Sequence, residues 1–284
     1  MKNRAPADSG RPTVAIGVAP NGGRKVKTDH PKVPLTPREL AETAAACRDA
    51  GAAMIHLHVR TAEGGHLLDA AAFSAAIGAV TAAVGDSLVI QMTTESLGLY
   101  APAEQMAVVK AVRPEAISLS LREFVPTPAD EAPFAAFLAW LKRESVMPQI
   151  ILYSPEEHTR LDEMRRHGLI PWEDPPVLFV LGRYTVGQTS TPADLLPFLA
   201  AEMPRPAHWM TCAFGRFEAA CATAAALLGG HARIGFENNL ALPDGTTAPD
   251  NAALVSAAAT AFSACGLGLA DAAALRADWH RLLG

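Results

Sequence analysis

Gly51-Ala52-Ala53-Met54-Ile55-His56-Leu57-His58-Val59-Arg60 starts on a glycine and runs into apolar residues broken by two histidines. Residues 54–60 read as a β-strand. Successive strand side chains face opposite ways, so His56 and His58 project together while Ile55, Leu57 and Val59 face the other side. Two imidazoles converging on one side are half of a first-row metal site. The same pattern also fits a buried strand with two hydrogen-bonded histidines. Gly51 closes a helix over 36–49: Thr36 suits the N-cap, Pro37 the first helical position and Glu39 the third of a capping box. A helix, a glycine and then a buried strand is one unit of an alternating α/β fold.

The unit repeats in both directions. Upstream, 13–18 reads as a short buried strand closed by Ala19-Pro20-Asn21-Gly22-Gly23. Downstream, strands are expected at 88–92, 116–119, 148–153, 177–181, 208–212 and 232–236. The helices between and after them are expected from 68 or 69 to 84, then at 102–112, 130–144, 155–167, 191–203, 216–228 and 251–265, with a last one at 271–283. Eight strand-then-helix units in 284 residues predict an α/β fold with a single (β/α)8 TIM barrel over 13–284, preceded by a disordered lead over 1–12. The competing architecture is an open doubly wound sheet. No GxGxxG follows the first strand, which weakens its dinucleotide-binding version.

Half of the residues are apolar, enough for a large core, and the formal charge is −5 with no basic block. That argues against nucleic-acid binding. The four cysteines, Cys47, Cys212, Cys221 and Cys265, form no CxxC pair and suit no disulfide framework. This fits a reducing cytoplasm. No apolar run approaches the ~20 residues of a membrane span. Residues 1–10 are polar and do not read as a signal peptide.

Barrel active sites lie at the C-terminal ends of the strands. Those ends carry Asn21 and Arg24, then His56, His58 and Arg60, then Gln91, Thr93, Thr94 and Glu95. Further round come Ser118, Ser120 and Arg122, then Tyr153, Arg183, Thr211, Arg216, and finally Glu237 and Asn238. Glu237, at the end of the eighth strand, is the expected third ligand. His56, His58 and Glu237 would form a His2Glu set with open positions, as in catalytic zinc sites; manganese, cobalt or iron also accept these donors. Alternatively Glu237 pairs with Arg233 or Arg60. Arg233, four residues earlier, is expected to face inward and to need an anionic partner, either Glu237 or a substrate carboxylate. Arg216 could bind phosphate at a helix N-terminus or lie on the surface.

These motifs together resemble the β-keto acid cleavage enzymes. The resemblance is carried by HLHVR at 56–60, GGHxRxGxEN at 229–238, FVLG at 179–182, APNGGR at 19–24 and PKVPLTPRELAE at 31–42, and it spans about 13–280. It implies a barrel, a homotetramer and one zinc per subunit held by His56, His58 and Glu237. It implies that a β-keto acid and acetyl-CoA give acetoacetate and a new acyl-CoA. Arg233 matches the family arginine that steers acyl transfer. Thr93 and Ser118 match its hydroxyl residues near the substrate. Asn21 and Arg24 fall in its substrate-selecting loop, where Arg24 favours an acidic or neutral substrate end over a cationic one.

Two departures matter. The family's general base is an aspartate where this chain has Asn238, and an amide cannot take that proton. Where the family is glycine-rich after the strand-three hydroxyl, this chain has Thr94-Glu95. Glu95 is therefore the candidate replacement base, against the alternative of a solvated loop residue. Asn238 also keeps two other readings open: a metal-dependent lyase or hydrolase that works without coenzyme A, and a catalytically silent metal- or ligand-binding barrel.

Overall fold

The fold is taken from a computed structural model of the chain, which describes residues 12–284. In order, the first elements are β1 (Thr13–Val18), α1 (Pro37–Asp49), β2 (Met54–Leu57), β3 (Val59–Arg60), β4 (His66–Leu67), α2 (Ala70–Val84), β5 (Val89–Met92) and α3 (Pro102–Val112). Next come β6 (Ala116–Ser120), α4 (Leu121–Phe124), α5 (Glu131–Arg143), β7 (Met147–Leu152), α6 (Pro155–Arg166) and β8 (Val177–Leu181). After a 3-10 helix at Pro192–Leu199, the chain continues through β9 (Trp209–Ala213), α7 (Glu218–Leu227), β10 (His231–Ile234), α8 (Asn251–Ala264), β11 (Gly268–Ala270) and α9 (Ala272–Leu283).

Eight strands, β1, β2, β5, β6, β7, β8, β9 and β10, pair in parallel in that order, and β10 pairs back onto β1. The ring is a closed (β/α)8 barrel. Its strands are buried on both faces, which their near-continuous apolar sequences require of a parallel sheet. Helices pack outside it on large buried side chains such as Phe124, Phe137 and Trp279. The α1 cap forms as the sequence predicts: Thr36 Oγ1 accepts from the Glu39 amide, and the Glu39 carboxylate accepts from the Thr36 amide. β11 adds to the N-terminal half of β1 outside the ring. Of the lead, residues 1–11 lie outside the described residues. Pro12 is tied in, since its carbonyl accepts from the Gly268 amide.

Three expectations need correction. The histidine strand is not continuous over 54–60. It leaves the barrel after Leu57, and Val59–Arg60 pairs antiparallel with His66–Leu67. The segment at 191–203 is a 3-10 helix over 192–199 rather than an α-helix, because Pro197 inside it supplies no amide hydrogen. The last barrel strand ends at Ile234, so Glu237 sits in the turn beyond it and not in the strand with Arg233.

Candidate active site

His56 is the last inward-facing residue of β2, and His58 follows at the point where the chain leaves the barrel. Both are buried, with their Nε2 atoms 3.1 Å apart. His56 Nδ1 lies 2.8 Å from Gln91 Oε1, while Gln91 Nε2 donates to Gln149 Oε1 at 3.1 Å. Gln91 Oε1 can only accept, so Nδ1 of a neutral His56 carries the hydrogen and its Nε2 presents a bare lone pair. Burial holds both histidines well below the usual imidazole range, helped by Arg233 at His56 and by His66 at His58. Both are therefore neutral and fit to bind a cation.

Glu237 completes the group. Its Oε2 lies 3.8 Å from His56 Nε2, and its Oε1 lies 3.8 Å from His58 Nε2 and 3.7 Å from Arg233 Nη2. Burial pushes this carboxyl up, but Arg233 and His56 outweigh it and the group stays ionised, below its ordinary range. Oε2 is buried without a hydrogen-bond donor. A bare imidazole nitrogen, a second neutral imidazole and an orphaned carboxylate oxygen within 4.8 Å of one another fit a divalent cation. The turn is packed closely from the β1 side: Gly22 has φ +58°, and a Cβ there would stand 2.6 Å from Glu237 Cγ.

Arg233 lies beneath this group on β10, opposite Gly17, where any larger residue would press on Met54 and approach the arginine stem. Its Nη2 reaches Cys212 Sγ at 3.5 Å, and its Nε and Nη1 are buried without acceptors. Both partners expected for Arg233 are thus open to it: Glu237 is adjacent, and unused donors remain for a substrate anion. Glu95 forms the opposite wall. Its Oε2 lies 3.9 Å from His58 Nδ1 and its Oε1 3.6 Å from Arg183 Nη2. Burial, and then the charge of Glu237, push its carboxyl up to about 7. His66 anchors its backbone, with Nε2 donating to the Glu95 carbonyl at 2.6 Å.

A pocket of about 390 Å³ opens on these groups, lined also by Thr93, Ser120, Glu123, Tyr153, Arg183 and Phe214. A second cavity of about 330 Å³ continues from it along Gly22, Arg24, Lys25, Arg183 and Gln188. The structure thus brings His56, His58, Glu237, Arg233, Glu95 and Thr93 into one pocket and puts Arg24 in the adjoining cavity. Asn21 lines that cavity too, but its amide is spent on the carbonyls of Pro34 and His58, so it shapes the site.

Three expected residues stand elsewhere. Ser118 lies one layer deeper on β6 than Ser120, which takes the place in the pocket wall. Arg216 is exposed and stacks on Phe217, 4.5 Å from the ring centre. Asn238 is buried outside the pocket lining and donates to Glu218 Oε1 at 3.2 Å. Arg60 does not pair with Glu237. It donates to the carbonyls of Asn21, Gly22, Lys25 and Gly64, clamping the loop after β1.

Sequence reasoning placed Gln91 and Arg183 at strand ends but gave them no role, and it missed Gln149 and the burial of Glu218. Alternation of inward residues on their strands points to the two glutamines. Glu218, at the start of α7, reads as a helix-surface residue, yet it is 2% exposed and its carboxyl is pushed up to about 8 by burial. Among the described residues one other group, His208, His231 and Asp278, brings ligand-type atoms together. His231 Nδ1 accepts the Ala15 amide at 3.0 Å, so Nε2 of the neutral ring carries the hydrogen and has no lone pair for a metal.

The sequence profile of the beta-keto acid cleavage enzyme family matches residues 13–279. The chain is 28% identical to the 3-keto-5-aminohexanoate cleavage enzyme of Acetoanaerobium sticklandii, over 82% of this chain and 86% of that one. It is 28% identical to the 3-oxoadipate:acetyl-CoA acetyltransferase of Cupriavidus necator, covering 92% and 93%. It is 30% identical to the 3-dehydrocarnitine:acetyl-CoA trimethylamine transferase of Rhizobium meliloti, covering 89% and 91%. The apo structure of ObcA superposes with a TM-score of 0.69 at 17% identity, over 88% of this chain and 66% of that one, a likeness of fold. No helix among the described residues is long and apolar enough to cross a membrane. The match over residues 13–279, on a closed barrel with His56, His58 and Glu237 converging at its mouth, makes this chain a member of the beta-keto acid cleavage enzyme family.

Proposed function

We propose that the protein is a metal-dependent acyltransferase that exchanges the acyl group of a β-keto acid for the acetyl group of acetyl-CoA, giving acetoacetate and a new acyl-CoA. The observation that carries this reading is the convergence of His56 Nε2, His58 Nε2 and the Glu237 carboxylate beside the free donors of Arg233. Acetyl-CoA is part of the names of the Cupriavidus and Rhizobium relatives. Zinc is the first choice for two imidazoles and a carboxylate with open positions; manganese, cobalt and iron accept the same donors. When bound, the cation supplies Lewis acidity toward the ketone oxygen.

The remaining steps fall to the chain's own groups. Arg233 binds the substrate carboxylate through its unused N–H groups and holds C2 in the pocket. C2 must become a nucleophile, because its bond to the old acyl carbon is replaced by one to the acetyl carbon. Glu95, raised to about 7, is suited to take a C2 proton near neutrality. C2 then attacks the thioester carbonyl and coenzyme A leaves as thiolate. The thiolate adds to the original ketone carbon, the bond from that carbon to C2 breaks, and the electron pair returns to C2. Glu95 gives its proton back and the cycle closes. The Thr93 hydroxyl accepts from the Glu95 amide and fixes the base over the pocket.

Arg24, Lys25 and Arg183 line the adjoining cavity and favour an acidic or neutral end group on the keto acid over a cationic one. A homotetramer and a cytoplasmic setting belong to the same proposal, on the family resemblance and on four cysteines that are all free thiols. A second reading, a metal-dependent lyase or hydrolase that works without coenzyme A, draws on one observation: residue 238 offers no carboxylate and lies outside the pocket lining.

The test uses metal-stripped protein, reloaded with zinc or left bare, with keto acids bearing carboxylate, neutral or amine ends, and with or without acetyl-CoA. Acetoacetate and acyl-CoA should form only with both metal and acetyl-CoA, fastest with the dicarboxylic substrate. Keto acid consumption without acetyl-CoA would favour the second reading, and a preference for the amine would refute the cationic cavity as selector.

A further inference from the structure

We infer that Glu218 is a positioning residue that fixes the turn carrying Glu237, and that its contact with Asn238 is why residue 238 carries an amide. The inference rests on the metal reading above. Glu218, the first residue of α7, is buried under the turn that follows β10. Its Oε1 accepts from the Gly235 amide at 3.0 Å and from Asn238 Nδ2 at 3.2 Å, and its Oε2 accepts from Asn239 Nδ2 at 3.2 Å. These three donors flank Glu237 on both sides in sequence. One other buried side chain holds the turn, Asn251, whose Oδ1 accepts from the Phe236 amide at 2.9 Å; the remaining support is backbone, with Glu237 N donating to Ala19 O and Asn238 N and Asn239 N both reaching back to Gly235 O. Gly235 itself has φ +131°, and a Cβ there would stand 2.5 Å from Ala19 O, so the turn cannot relax toward β1.

Asn238 Nδ2 sits between two acceptors, Glu218 Oε1 at 3.2 Å and the Arg233 carbonyl at 3.4 Å. Only an N–H group satisfies both. An aspartate at 238 would set a second acid against Glu218 and an oxygen against the Arg233 carbonyl, and a dry site disfavours ionising both acids. The acid at 218 and the amide at 238 are therefore one coupled unit, and it acts on the metal position through Glu237. Groups that orient metal ligands in this way typically govern ten- to a hundredfold of affinity.

The experiment measures cobalt and zinc affinity by chelator competition, with the visible spectrum of the cobalt-loaded protein as a report on ligand geometry. Glu218→Ala should weaken binding on the order of 10- to 100-fold and shift the cobalt bands, even in protein whose circular dichroism shows the native fold. A role in packing alone would lower the melting temperature and leave the spectrum and affinity of the folded protein unchanged, which overturns the inference. Should Glu218→Ala not fold, the isosteric variants decide. Asn238→Asp should weaken binding about tenfold in the Glu218 protein but less than about threefold in the Glu218→Gln background, where the glutamine can turn its NH2 toward the new acid. An equal penalty in both backgrounds overturns the coupling. No metal uptake by the unaltered protein overturns the positioning role together with the metal reading. Metal uptake with no acetoacetate formed removes the transferase reading and leaves this inference standing.

Discussion

Replacing Gln91 with leucine removes a side chain that never touches the pocket and should still weaken metal binding. Gln91 makes two buried hydrogen bonds, one accepting from His56 Nδ1 at 2.8 Å and one donating to Gln149 at 3.1 Å. Leucine of similar size leaves the His56 Nδ1–H and Gln149 Oε1 without partners, each at a cost of about 1–3 kcal/mol. His56 can escape part of that cost by moving its hydrogen to Nε2. That nitrogen then faces His58 Nε2 and Glu237 with a hydrogen where the lone pair stood. Binding a cation must reverse the shift, so affinity should fall on the order of 10- to 100-fold, about 1.4–2.7 kcal/mol. Competition with a chromophoric chelator gives the affinity, and urea unfolding of the metal-free protein gives the stability. Gln149→Leu serves as the control, because it breaks only the outer bond and should cost less affinity. A Gln91→Leu protein that is less stable but binds metal within about threefold of the unaltered protein would refute the tautomer argument.

Glu95→Gln should cut turnover on the order of 10²- to 10⁴-fold while metal stays bound, and should remove the rising limb of the pH profile. That limb rises because the base works ionised; it lies near or below pH 7, since a bound cation pulls Glu95 down from the value of about 7 set by burial and Glu237. Unchanged turnover would leave Glu95 a spectator. Arg24→Glu should favour amine-bearing keto acids over dicarboxylic ones in kcat/KM, and an unaltered ranking would exclude that loop from selection. Acid should destabilise the fold through His231, whose pKa is lowered from 6.5 to about 4, first by burial. A depressed folded-state pKa means the unfolded chain binds more protons, so stability is whole above about pH 6.5 and falls by about 3 kcal/mol as the pH drops through 4. Burial is the cause, opposed in part by Asp278, and His231→Gln should flatten the slope in thermal melts.

The barrel was legible because its signals are local. Caps such as Thr36 with Glu39, apolar runs such as 177–181 and stops such as Gly51 need no knowledge of distant contacts. The candidate metal group was legible for a related reason: the i, i+2 spacing pairs His56 with His58, and barrel closure brings Glu237 round to them. What stayed hidden depends on how the chain leaves a strand. Nothing in Val59-Arg60 announces that it pairs with His66-Leu67, or that Arg60 turns to four carbonyls instead of to Glu237. The same holds for Glu218, whose helix-start position is usually solvated, and for Asn238, whose orientation follows from Glu218. Arg183 was visible as a strand-end residue, but its pairing with Glu95 across the mouth is a tertiary fact.

The central claim is a carbon–carbon bond exchange between a β-keto acid and acetyl-CoA. Following acetyl-CoA labelled with carbon-13 at its carbonyl by NMR, with a dicarboxylic keto acid and the zinc-loaded protein, tests it most directly. The account predicts that the label appears at the ketone carbon of acetoacetate as an unlabelled acyl-CoA forms. Label retained in acetyl-CoA or released as acetate, while the keto acid is consumed, would contradict it.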